Sequence, residues 1–170
     1  MNRVAILGNA GSGKSFLAAR LGSTRDLPVI ALDDLFWKPP GQYQTKRPAH
    51  ELMALIDARK LEPTWIVEGV YGELVQPFLN QADHLLWLDI PWEVSRARLE
   101  ERQLSRAAAS DDPAFPMLMA YAEAYWTRDD GRSHAGHRRI FEAFERKKVH
   151  LASEGAVNAF LRTVPAGVGS

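Results

Sequence analysis

Eight residues near the start of the chain, GNAGSGKS from Gly8 to Ser15, place three glycines, a lysine and a hydroxyl at fixed spacing. They match G-x-x-x-x-G-K-[ST] in every fixed position, a coincidence with a probability on the order of one per cent in a chain of this length. Gly8, Gly11 and Gly13 permit backbone conformations barred to other residues, and successive N–H groups can turn inward as an anion nest at the positive end of the next helix. Such a nest fits a triphosphate. Lys14 would bring a positive charge to the β and γ phosphates and the Ser15 hydroxyl an oxygen ligand for Mg2+, with Asn9, Ala10, Ser12 and Phe16 lining the same donor site.

Phosphate chemistry with Mg2+ also needs carboxylates to hold metal-bound water and to take a proton from an attacking group. Asp33 and Asp34 end the second apolar run, Glu68 ends the third just before Gly69, and Asp89 ends the fourth. Asp33 is expected to activate an acceptor hydroxyl or to orient it through Mg2+. It is preferred to Asp34 because strand alternation turns only one of the two inward. Glu68, with Gly69, is assigned to a metal or acceptor contact, whereas Asp89 would equally cap the helix that starts near Pro91.

In PWEVSRARLEERQLSR, Arg98, Arg102 and Arg106 stand four apart and share one helical face. Phosphoryl transfer spreads negative charge over the transferring oxygens, so arginines carried on a lid, placed at about residues 98–116, would stabilise it. The alternative is a solvated face paired with Glu100 and Glu101. Arg128 and Arg132 could act similarly from the far side. Phe36, Trp37 and Tyr43 lie beside Asp33 in sequence, where rings would stack on a flat acceptor or else pack in the core. His134 and His137, three apart without carboxylates at metal-ligand spacing, are expected in a surface or core role.

These groups need elements to carry them. Short apolar runs recur at 4–7, 28–32, 65–67, 85–88 and 148–152, as in strands buried on both faces of a parallel sheet. Helical patterns fill the gaps at 14–22, 48–60, 73–81, 92–106 and 153–162, the last behind a possible Ser153 cap. Strands alternating with helices imply right-handed crossovers and a doubly wound α/β sheet, with the ligand at the carboxyl ends of the strands. The stretches 38–48 and 107–116 interrupt the pattern as loops, read as binding loops or plain excursions.

Composition narrows the setting. The chain has 170 residues, 46% of them hydrophobic, enough for a core and one domain. Lys plus Arg and Asp plus Glu both total 21, so no global charge draws it to nucleic acid or an anionic membrane. Absence of cysteine excludes a disulfide scaffold and a thiolate metal site. No apolar run approaches membrane-spanning length or the form of a signal peptide, so a cytoplasmic location is expected.

The blocks GNAGSGKS, LDDLFW, WIVEGVYG and ADHLLWLDIPWEVSRARLEER, in that order over about residues 3–106, resemble the small P-loop nucleotide and nucleoside kinases. The resemblance is greatest to the adenylate-kinase-like topology modulation proteins. It implies a three-layer P-loop NTPase fold with strand order 2-3-1-4-5, ATP and Mg2+ as donor, lid arginines at Arg98 and Arg102, and an acceptor site near Asp33, Asp34, Trp37, Glu68 and Gly69. The paired aspartates with aromatics are nearer to uridine and nicotinamide riboside kinases, in which an acid faces a hydroxyl acceptor. EGVYG keeps the acid and glycine of adenylate kinases but not their arginine. A kinase acting on a nucleoside or nucleotide is the expectation, with a slowly hydrolysing ATP-binding regulator, or a bare ATP-binding module for a nucleic-acid or protein partner, as the alternatives.

Overall fold

The computed structural model describes residues 1–39, 45–105 and 114–165. Its main sheet has five parallel strands, β1 (Arg3–Gly8), β2 (Val29–Ala31), β5 (Trp65–Gly69), β6 (His84–Leu88) and β7 (Lys147–Leu151), in the order β2-β5-β1-β6-β7. Counted along the chain, these strands run 2-3-1-4-5, as expected. A two-stranded antiparallel hairpin, β3 (Trp37–Lys38) with β4 (Thr45–Lys46), projects from the stretch read as a loop.

The side-chain period of two divides each central strand between two cores. Ala5 and Leu7 of β1 face a layer that includes Leu52 and Ile56 of α3 (Ala49–Lys60) and Val75 and Phe78 of α4 (Gly72–Leu79). Val4 and Ile6 face Leu17 and Leu21 of α1 (Lys14–Arg25) and Val157 of α8 (Glu154–Thr163). Because both faces are covered, the strands read as unbroken apolar runs. Ser153 caps α8, its hydroxyl accepting from Ala156 N at 3.1 Å.

Two features differ from the expectation. The second run was expected as a strand to residue 32 with Asp33 and Asp34 at its end, but β2 stops at Ala31. Leu32–Phe36 form a short helix, α2, with both aspartates in its first turn, where acids complement the helix dipole. Further along, α5 (Trp92–Ser105) is followed by α6 (Ala114–Glu123), a 3-10 turn (Ala124–Trp126) and α7 (His134–Ala143), in a region where no helix was expected. Tyr43, Arg106 and residues 107–113 of the proposed lid lie outside the described residues.

The floor of the sheet's carboxyl end is tied to this later region by a buried hydrogen-bond chain. Trp87 Nε1 donates to Tyr125 Oη at 3.3 Å, and Tyr125 Oη lies 2.9 Å from His137 Nδ1. His137 Nε2 lies 2.9 Å from the Val70 carbonyl, which only accepts, so the proton sits on Nε2 and Tyr125 donates to Nδ1. His137 therefore belongs to the core. Burial holds its pKa down to about 4, from 6.5. The unfolded chain thus binds the extra proton between these values, and stability must rise with pH across that window. Stability to urea should fall by about 3 kcal/mol from pH 7 to pH 4 on account of this residue, and His137→Gln should flatten that part of the profile.

Candidate active site

The glycine loop follows β1 and leads directly into α1. Gly11 has φ 74° and Gly13 φ 93°, left-handed values that glycine adopts without strain. Gly11 has a second reason to lack a side chain, since a Cβ there would stand 2.5 Å from the Ser95 carbonyl oxygen of α5. The loop is therefore pressed between α1 and α5. Lys14 Nζ donates to the Asn9 carbonyl at 2.8 Å, and burial lowers its pKa against the raising effect of Glu68 and Asp33, with Arg102 lowering it further. Lys14, Glu68, Asp33 and Arg102 are thus electrostatic neighbours although they come from four elements.

The Ser15 hydroxyl donates to Glu68 Oε1 at 2.8 Å. A hydroxyl and a buried carboxylate are hard oxygen donors, the set that suits Mg2+, which takes its remaining ligands from water and phosphates. Among the described residues no cluster of three or more His, Cys, Asp or Glu could hold a metal by itself. The donor set therefore fits a metal that arrives with a nucleotide. Phe16, in contrast, is 59% exposed on the outer side of α1.

Gly69 fixes the opposite wall. A Cβ on it would come within 2.9 Å of Leu32 Cβ, so the missing side chain lets α2 dock on the end of β5 and carries Asp33 toward Glu68. Asp34 is exposed, while Asp33 faces the Tyr71 hydroxyl, whose pKa is raised by burial and next by the Asp33 charge. Of the two, Asp33 is the less exposed, and a helical turn, not strand alternation, separates the pair. Trp37 Nε1 donates to Tyr71 Oη at 3.1 Å. Phe36 stacks on Tyr71 with centroids 4.8 Å apart, so its ring is committed to the wall.

Arg98 and Arg102 lie on α5, but not as a freely swinging pair. Arg98 Nη1 donates to the Ser12 carbonyl at 3.0 Å and Nη2 pairs with Glu154 at the head of α8, and not with Glu100 or Glu101 as in the alternative of a solvated face. Asp89, expected as a possible helix cap, instead lies 2.8 Å through Oδ2 from His150 Nε2 and 3.2 Å through Oδ1 from His134 Nε2. Sequence reasoning missed Glu154 and Tyr71, whose roles depend on contacts distant in the chain.

No family model and no curated protein matches the chain. Among solved structures it is similar to a shikimate kinase from Aquifex aeolicus vf5, with 17% identity, a TM-score of 0.53 and 95% of this chain aligned to 94% of that one. A shikimate kinase from Bacteroides thetaiotaomicron gives the same identity, TM-score and coverage. A gluconokinase from Sinorhizobium meliloti 1021 gives 16% identity, a TM-score of 0.52 and 95% of this chain over 87% of that one. The fold is the P-loop kinase fold. Within it, the Asn9 side chain links the loop to α6: Nδ2 donates to the Ala122 carbonyl at 2.7 Å, and Oδ1 accepts from Ala10 N at 2.8 Å. Asn9→Ala leaves the Ala122 carbonyl without this donor in a buried place, and chemical denaturation should show a loss of about 1–3 kcal/mol.

Proposed function

We propose that the protein is an ATP- and Mg2+-dependent phosphotransferase that moves the γ-phosphoryl group to a hydroxyl of a small acceptor, a nucleoside or nucleotide, in the cytoplasm. The observation that carries this reading is the convergence of Lys14, Ser15, Glu68 and Asp33 at the carboxyl end of the sheet, with Asp33 on the wall opposite the glycine loop. The loop amides and Lys14 hold the triphosphate charge, Arg102 attends the same phosphates from α5, and Arg98, the other expected phosphate arginine, serves them indirectly by bracing the loop through the Ser12 carbonyl. Ser15 and Glu68 would hold Mg2+, which supplies charge neutralisation on the phosphate oxygens.

The acceptor oxygen attacks the γ phosphorus in line, a new P–O bond forms, the bond to the β–γ bridging oxygen breaks and ADP leaves. The acceptor's proton passes to the Asp33 carboxylate. Trp37, Tyr71 and Gly69 shape the acceptor side. The adenylate-kinase-like sequence blocks support a nucleoside or nucleotide acceptor. The similar solved structures include kinases named for shikimate and gluconate, so small hydroxylated acids belong among the acceptors to test.

Asp33→Asn should lower kcat for phosphoryl transfer by about a hundredfold or more with ATP affinity nearly unchanged, read by steady-state kinetics and ATP titration. Equal losses in both would move Asp33 to a metal-holding role. Lys14→Ala should abolish transfer while the far-ultraviolet circular dichroism stays that of the parent. Full activity in that variant would remove the loop from the chemistry.

A further inference from the structure

Arg132 lies between the 3-10 turn and α7, and its guanidinium carbon stands 4.6 Å from the centre of the Tyr71 ring and 5.4 Å from that of Phe36. Its segment is held from several sides. Gly72 N donates to the Gly131 carbonyl at 3.0 Å, which fixes the segment to the head of α4. Arg128 gives Nη1 to the Tyr121 carbonyl at 2.9 Å and Nη2 to the Arg132 carbonyl at 3.1 Å. Arg128 is thereby a staple for this segment, and Arg132 is the cation it presents.

The place where Arg132 is presented belongs to the acceptor wall. Tyr71 follows the end of β5 by two residues, and its hydroxyl faces Asp33. Arg132 therefore stands across one tyrosine ring from the carboxylate assigned to the acceptor hydroxyl. Tyr121 adjoins it: the Arg132 charge bears on the Tyr121 hydroxyl, whose buried oxygen has no well-aligned hydrogen-bond partner among the described residues. The ion pair with Glu73 engages Nε and Nη2 of Arg132, and the two side chains stay 31% and 43% exposed, so the cation is open to a competing anion.

We propose that Arg132, with Tyr121 beside it, anchors an anionic group of the acceptor, so that the substrate is a small hydroxylated carboxylate or phosphate ester and not a neutral sugar or nucleoside. The proposal rests on the kinase reading; it removes the neutral nucleoside from the acceptors proposed above and leaves the nucleotide and the hydroxylated acids. A guanidinium whose face is held on an aromatic ring keeps its donor edge fixed in a plane, which suits a carboxylate or phosphate. Glu73 would hold Arg132 in place and compete with the incoming anion.

The test is calorimetric binding of gluconate against glucose, ribose 5-phosphate against ribose, and AMP against adenosine. Saturating ADP and Mg2+ fill the donor site and ionic strength is held constant, and kcat and KM are then measured with ATP. The charged member of at least one pair should bind and its neutral partner should not. Arg132→Gln should weaken that binding about tenfold or more and raise KM with kcat changed much less. Arg132→Lys should recover only part of the loss, and Glu73→Gln should tighten anion binding. Binding of neutral members alone, binding of none, or a fall in kcat with unchanged anion affinity in Arg132→Gln would each overturn the anchor. Anion binding that depends on Arg132 but leads to no phosphorylated product would support the anchor and contradict the kinase reading.

Discussion

A ring of backbone N–H groups can face a triphosphate only while the outer side of the loop is braced, because its carbonyls must be satisfied in the opposite direction. Arg98 provides that brace. Its guanidinium reaches the Ser12 carbonyl from α5 and is itself fixed by Glu154. The neighbouring turn of α5 sits so near Gly11 that no side chain fits between them. Asn9 adds a third attachment through the Ala122 carbonyl. Two later elements, α5 and α6, thus converge on eight residues near the start of the chain, and the shape of the nest is a tertiary property.

The opposite wall depends on a second close approach, that of Leu32 to Gly69. It brings α2 onto the end of β5 and leaves Glu68 buried beside Ser15. Burying a lysine and a carboxylate near each other is costly for either alone, but each offsets the desolvation of the other. Lys14 shows the balance, with burial drawing its pKa down and the two carboxylates opposing that shift. A triphosphate brings the charge that such a cation is placed to meet. The aromatic pair Phe36 and Tyr71 then forms a firm surface behind Asp33, on whose far side Arg132 is stacked.

Much of this was legible in the residues. The glycine loop, the five strands and Glu68 are local signals: fixed spacing, unbroken apolar runs, and an acid where a run meets a glycine. The strand order came with the resemblance carried by those blocks. The short helix α2 was not legible because VIALDDLFW carries no helical stripe long enough to separate it from a strand. The helices between residues 114 and 143 were missed for a related reason. In α6 the apolar residues Phe115, Met117, Leu118 and Met119 are not sorted onto one buried face, and Met117 is 74% exposed. Arg98 and Arg132 were visible as candidates, but their partners Glu154 and Tyr71 lie 56 and 61 positions away in sequence, beyond the reach of any spacing rule. His137 shows the same limit, since only folding reveals the Tyr125 hydroxyl and Val70 carbonyl that satisfy its ring.

The most direct test of the central claim is to follow the γ phosphorus by 31P NMR, with purified protein, Mg2+ and ATP, in the presence and absence of each acceptor. The account predicts ADP that forms only with a competent acceptor, matched mole for mole by a new phosphate ester. ADP and inorganic phosphate released at one slow rate, whatever acceptor is added, would contradict it and favour a nucleotide-hydrolysing regulator.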